Sequence, residues 1–292
     1  MSAKAWHIGV IGGSGLTEGV GLDNAQQIAV DSPFGAPSGP VTQGTINGVK
    51  FTFLARHGAG HVIPPDAINY RANIDVMKRC GVTDLVSLSA IGSLREEFAP
   101  GHFITVDQLI DRTQGREGSF FGTGMVAHVS LADPTCPRLR ELLALSAHQC
   151  GAVVHPRGCY IAIQGPQFST RAESVMYRQW GADVIGMTAM PEARLAREAE
   201  LPYAILGMVT DYDAWREEEE GVVASEVFAT MKANGDMAKA ALRHLADLLP
   251  PERPASPIDT VLDHAFATAP AKRDPHVVAM LDAVAGRALR NS

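Results

Sequence analysis

The segment Thr210-Asp211-Tyr212-Asp213 places two carboxylates two residues apart, directly after the apolar run 203–209. That run predicts a buried strand, and the carboxyl end of a parallel strand is where open α/β sheets bind small ligands. In an extended backbone side chains repeat every two residues, so Asp211 and Asp213 are expected on one side. One carboxylate of such a pair can accept a hydrogen bond from an exocyclic amine, while the other, protonated, gives its proton to a ring nitrogen. Cleaving the bond between an aminopurine and its sugar needs both services. Taken alone, the stretch reads more readily as an exposed acidic turn backed by Trp215. The rest of the chain has to supply the remaining groups.

Four other segments end or follow predicted strands. Gly12-Gly13-Ser14-Gly15 offers free-folding backbone and a hydroxyl, suited to an anion approaching peptide N–H groups. It is neither a Walker A nor a GxGxxG motif, and as a lone signal it equally serves a tight turn. Arg56-His57-Gly58 sets a guanidinium that can fork two phosphate oxygens beside an imidazole donor. In isolation that pair reads as a surface Arg and a core histidine. Ser89-Ala90-Ile91-Gly92-Ser93 is small enough to let a ligand reach the backbone, or is ordinary strand-to-loop punctuation. Thr188 precedes a helix, where it either caps the first turn or helps hold an anion at the positive dipole end. Arg95-Glu96-Glu97 and the run Glu217 to Glu220 read as solvated charge.

The positioning elements follow from hydrophobic pattern. Strands are expected over 5–11, 49–55, 85–90, 102–106, 159–163, 183–186 and 203–209, with helices over 67–80, from Thr170 to Gly181, from Thr188 through Pro191, and over 224–249. Thr170 and Glu173 form a capping-box pattern. This alternation predicts one α/β domain, 1–249, with a central mixed, mainly parallel sheet flanked by helices. Pro250-Pro251-Glu252-Arg253-Pro254 opens a Pro-rich linker, and the tail 250–292 is expected to carry one helix over 275–289 that packs on the body or on a neighbouring subunit.

With 46% hydrophobic residues, 20% charged residues and a net charge of −7, the chain has a globular composition and no basic stripe for nucleic acid. The four cysteines lack CxxC spacing and are expected as reduced, mostly buried thiols of a cytoplasmic protein. No run reaches membrane-spanning length. Ten histidines show no metal-ligand spacing, so no metal is expected.

Read in order, nine segments resemble the S-methyl-5′-thioadenosine phosphorylases of the trimeric purine nucleoside phosphorylase family. They are IGGSGL (11–16), DSPFGAPS (31–38), LARHG (54–58), NYRANI (69–74), GSLREE (92–97), QLIDRT (108–113), GPQFSTRAES (165–174), GMTAMPEARLAREA (186–199) and TDYDAW (210–215). The resemblance covers nearly the whole chain. It implies a nucleoside phosphorylase-like fold and phosphorolysis of methylthioadenosine to adenine and 5-methylthioribose 1-phosphate, a step of purine and methionine salvage. Inorganic phosphate would be the co-substrate, with no cofactor. By position it implies a phosphate shell of Ser14, Arg56, His57, Ser89, Ala90 and Thr188, and a nucleoside site of Ile91, Gly92, Phe168, Met187, Asp211 and Asp213. Ala224, Val227 and Phe228 would wall the methylthio group, joined by His128 from the neighbouring subunit of a homotrimer. Ser14 and Ser89 stand where relatives often carry Thr, and Gly186 stands where some carry Asn.

On this reading Asp213 is the acid at N7 and Asp211 the acceptor for the amine. A phosphorylase for 6-oxopurines or methylthioinosine and a phosphate-independent nucleosidase are the near rivals. A nucleoside-binding protein and a dinucleotide-dependent oxidoreductase are the distant ones.

Overall fold

The computed structural model of the chain describes residues 5–13, 20–216 and 224–290, with the backbone alone over 224–229. The described residues form one mixed sheet of eleven strands with helices on both faces. In chain order these are β1 (His7–Gly12), β2 (Asp23–Ile28), β3 (Val41–Ile46), β4 (Val49–Ala55), α1 (Tyr70–Arg79), β5 (Asp84–Ser93), β6 (Phe103–Thr105) and β7 (Gln108–Arg112). There follow α2 (Pro137–Gln149), β8 (Val154–His155), β9 (Cys159–Ile163), α3 (Arg171–Gln179), β10 (Val184–Gly186), α4 (Ala189–Glu198), β11 (Tyr203–Asp211), α5 (Ala224–Leu248), α6 (Pro275–Met280) and α7 (Gly286–Leu289).

β1 and the first half of β5 are buried on both faces, which is why they read as unbroken apolar runs rather than alternating ones. Their side chains feed two cores. Ile11 and Leu85 pack with α1 and α4 on one face, whereas Ile8, Val10, Val86 and Leu88 pack with α2 and α5 on the other. β5 is the pivot of the sheet. It lies parallel to β1 and β11, and then its last residues, Gly92 and Ser93, pair antiparallel with β10. Pairing of residues 89–91 with β11 and of Gly92 and Ser93 with β10 keeps 89–93 in strand conformation where loop punctuation was one reading of the sequence.

The tail packs on the body of its own chain. Leu262, Leu281, Val284, Ala285 and Ala288 join the α1/α4 core. Arg253 and Arg138 both bond the fully buried Asp84. The single helix expected over 275–289 is instead two short ones, α6 and α7. The chain bends between them so that Leu281 and Val284 reach the core while Asp282 pairs with Arg79 at 2.5 Å. All four cysteines are free, but only Cys136 is buried and the other three are half-buried, a correction to the expectation. Among the described residues no helix is long and apolar enough to cross a membrane.

Candidate active site

A cavity of about 510 Å³ opens where β5 changes partners, at the carboxyl ends of β1, β4, β5 and β11. The structure brings together in its walls Arg56, His57, Ser89, Ala90, Ile91, Gly92, Phe168, Met187, Thr188, Asp211 and Asp213, all expected from the sequence. Ser14 lies outside the described residues, as does the acidic run 217–220. Ala224, Val227 and Phe228 fall in the first turns of α5, where side chains are likewise outside the description. His128 is exposed and stands apart from the cavity of its own chain, its N–H bonded to the Ala265 carbonyl.

The two acids converge by a route that strand alternation does not provide. A β-bulge between Val209 and Asp211 shifts the register against β5 and sets Asp211 opposite Gly92. Asp213 then takes a left-handed φ of 49° and turns back, its N–H donating to Asp211 Oδ1 at 2.8 Å. Thr210 Oγ1 donates to Asp211 Oδ2 at 2.7 Å. A Cβ on Gly92 would come within 2.9 Å of Asp211 Oδ1, so only glycine leaves the acid its place there.

The environments separate the acids. Burial pushes both carboxyls upward, but Asp211 is held toward the charged form by the Thr210 hydroxyl and the Asp213 N–H. Asp213 rises to about 6, through burial first, with the Asp211 and Glu173 charges adding to it against the Ser174 hydroxyl and the Ala214 N–H. Among the described residues its buried Oδ2 has no hydrogen-bond partner of normal geometry, although Ser174 stands beside it. An unpartnered carboxyl oxygen in a cavity wall is costly unless a ligand meets it.

The anion side differs from the expected fork. Arg56 is 1% exposed, and its Nε and Nη2 face Glu192 at 2.7 and 3.1 Å. Nη2 also meets Ser87 Oγ and the Ile11 carbonyl, and Nη1 donates to the Leu88 carbonyl. Among the described residues one N–H, on Nη1 beside Gly13, remains for an anion. Burial works against the Arg56 charge, yet Glu192 outweighs it and keeps the guanidinium cationic. Sequence reading missed Glu192, whose one signal is an acid in the otherwise apolar turn Met190-Pro191-Glu192-Ala193.

His57 is likewise not the donor expected. Nδ1 lies 2.8 Å from the Ile63 carbonyl, so it carries the proton and leaves Nε2 as an acceptor. Burial, then the Arg56 charge, lower its pKa to about 4, and the ring stacks on His61 at 4.1 Å. Thr188 precedes α4, but its side chain makes no cap bond, so the hydroxyl is not committed to the helix.

Behind this shell Tyr160 is fully buried, and its hydroxyl fills the space a side chain at 186 would need. A Cβ on Gly186 would lie 2.1 Å from Tyr160 Oη. The same hydroxyl accepts from the Thr188 N–H at 3.4 Å and bonds Ser89.

His61, Val62, Pro64, Pro65, Thr210 and Met231 also line the cavity and escaped sequence reading. Met231 alone was signalled, three residues beyond Phe228 on one helix face. Among the described residues no group of three or more His, Cys, Asp or Glu side chains could hold a metal.

The arrangement joins an acid pair able to grip an amine-bearing heterocycle to groups able to hold an anion. The family described as the Phosphorylase superfamily matches residues 7–247, and the chain belongs to that superfamily. It is 55% identical to an S-methyl-5′-thioadenosine phosphorylase of Cereibacter sphaeroides, over 97% of this chain and 98% of that one. A methylthioadenosine phosphorylase from an antarctic soil metagenomic library superposes with a TM-score of 0.90 at 42% identity, over 96% and 99% of the two chains. The Schistosoma mansoni methylthioadenosine phosphorylase in complex with adenine gives a TM-score of 0.79 at 35% identity, over 84% and 92%.

Proposed function

We propose that this chain catalyses phosphorolysis of S-methyl-5′-thioadenosine: inorganic phosphate attacks C1′, adenine departs, and 5-methylthioribose 1-phosphate forms. One observation carries the reading. The anion shell and the acid pair share a single cavity and are spaced along one strand, Ser89 beside the first and Gly92 beside the second. Three residues of strand span ~10 Å, the reach from a nucleoside's base to a phosphate under its sugar.

The chemistry follows from the two environments. Asp211, whose carboxylate form the Thr210 hydroxyl and the Asp213 N–H favour against burial, accepts from the exocyclic amine of adenine. Asp213, protonated more readily, donates to N7 and so turns a poor leaving group into neutral adenine. Phosphate lies against the Arg56 N–H and the Ser89 and Thr188 hydroxyls. Neutral His57 accepts a hydrogen bond from a P–OH at Nε2 without taking its proton, which orients the phosphate and leaves the attacking oxygen more electron-rich. The bound anion also stabilises the cationic sugar through space. A single displacement with no enzyme nucleophile inverts the anomeric carbon. The apolar group at C5′ would meet His61, Val62 and Met231.

The assembly proposed is a homotrimer. Val62 is 74% exposed and Phe168 47% exposed although both line the cavity, apolar surface that a second copy carrying His128 would cover. Four unpaired thiols fit a reducing cytoplasm. The deciding assay follows adenine release from S-methyl-5′-thioadenosine with and without phosphate. Release only with phosphate is expected, and release at an unchanged rate without it would make the chain a nucleosidase instead. Methylthioinosine turned over faster than methylthioadenosine would overturn the role given to the acid pair.

A further inference from the structure

Arg116, in the loop after β7, lies outside the nine family-like segments, yet its guanidinium gathers acceptors from three segments in or behind the cavity wall. Nη1 donates to the Met187 carbonyl at 2.7 Å, the Met190 carbonyl at 2.9 Å and Tyr70 Oη at 3.1 Å. Nη2 donates to the Gln164 carbonyl at 2.7 Å. Tyr70 passes the connection on, its own hydroxyl donating to the Pro65 carbonyl at 2.9 Å. Met187 and Pro65 line the cavity, and Gln164 sits between the lining residues Ile163 and Pro166. Arg116 is not itself a lining residue. None of its anchor points is one of the side chains of the anion shell.

We infer that Arg116 is a positioning residue that sets the nucleoside half of the cavity, by fastening Gln164, Met187 and, through Tyr70, Pro65 to one planar fork. Its chemistry suits the task. Only a guanidinium presents five donors in fixed geometry, whereas a lysine in its place would reach these acceptors one or two at a time. Removing it leaves three main-chain carbonyls without their donor at once. The segments they belong to would then be free to move against the sugar and base, while Arg56 keeps its bonds to Glu192, Leu88 and Ile11 and Ser89 its place in β5. The inference rests on the nucleoside reading of the cavity.

The test compares wild type, Arg116→Lys, Arg116→Ala and Tyr70→Phe by KM for S-methyl-5′-thioadenosine at saturating phosphate and KM for phosphate at saturating nucleoside. Both Arg116 variants are expected to raise the nucleoside KM at least ~10-fold and the phosphate KM less than ~2-fold. Millimolar guanidinium ion should recover part of the loss in Arg116→Ala but none in wild type. Tyr70→Phe, which severs only the Pro65 connection, should give a smaller rise confined to the nucleoside. If Arg116→Ala does not fold, Arg116→Lys and Tyr70→Phe decide alone. An unmoved nucleoside KM, or equal rises in both constants without guanidinium recovery, overturns the inference. Wild type is the control that separates the two claims. If it releases no adenine with phosphate, the nucleoside reading fails; if it is active and the variants match it, only the Arg116 assignment fails.

Discussion

On the proposed mechanism Asp213 supplies the reactivity of the site, and its burial a local instability. Its carboxyl, ordinarily at 3.8, titrates at about 6 in the folded chain. Between these values the folded state holds a proton that the unfolded chain has lost, so stability falls as pH rises through that window. Asp213→Asn removes the buried charge and should raise stability at pH 7.5 by on the order of 1–3 kcal/mol, with the gap closing toward pH 4. The same variant cannot donate the N7 proton and should lose at least ~100-fold in kcat. Thermal melts at the two pH values and turnover on one preparation check both halves. A variant that is neither stabler nor slower would refute the assignment. In wild type, kcat/KM should decline above about pH 6 as the acid form is depleted, and Asp213→Asn should lack that limb.

At the scale of elements, β9 and β10 are pressed together where Tyr160 occupies the space beside Gly186. The hydroxyl that excludes a side chain at 186 is also bonded to Ser89 and Thr188, so the contact supports the proposed anion shell. Gly186→Asn overpacks a fully buried ring and should cost about 1–3 kcal/mol together with phosphate affinity. Trimming the ring by Tyr160→Ala in the same chain should restore part of the lost stability. Calorimetric melting of the single and double variants distinguishes this from a simple loss of glycine flexibility, in which case the second change would give no recovery.

On the scale of the molecule, the tail is part of the domain rather than an appendage. Asp84 is buried at the start of β5 and holds both Arg138 of α2 and Arg253 of the Pro-rich segment, while Arg253 also bonds Asp259 at 2.8 Å. Breaking one arm of a buried pair leaves charge uncompensated. Arg253→Ala should therefore cost about 3 kcal/mol, and lower Tm by roughly 6–12 °C in a chain of this size. A Tm within ~1 °C of wild type would show that the tail merely lies on the surface.

Much of this was legible along the chain, because an apolar run long enough to be a buried strand names itself. β4, β9 and β11 start at their expected residues, and the Thr170/Glu173 capping box forms as its pattern predicts. β2, with every residue exposed, and the antiparallel β3 escaped, since Asp23-Asn24-Ala25-Gln26-Gln27-Ile28 has no apolar periodicity to detect. The turn at Asn47-Gly48, both at positive φ, was a usable hairpin signal for β3 and β4. The residue types of the site were also fixed by local chemistry: an acid pair after one strand, Arg-His after another, small residues after a third. Which atoms of those residues remain free was settled only in three dimensions. Glu192 is distant from Arg56 in sequence yet takes its fork, Ile63 takes the His57 proton, and the bulge at β11 with the turn at Asp213 makes neighbours of two carboxyls. Spacing along a chain states which groups can meet. Hydrogen-bond partners and burial, which come from remote segments, decide which of them still has a proton or a lone pair to offer.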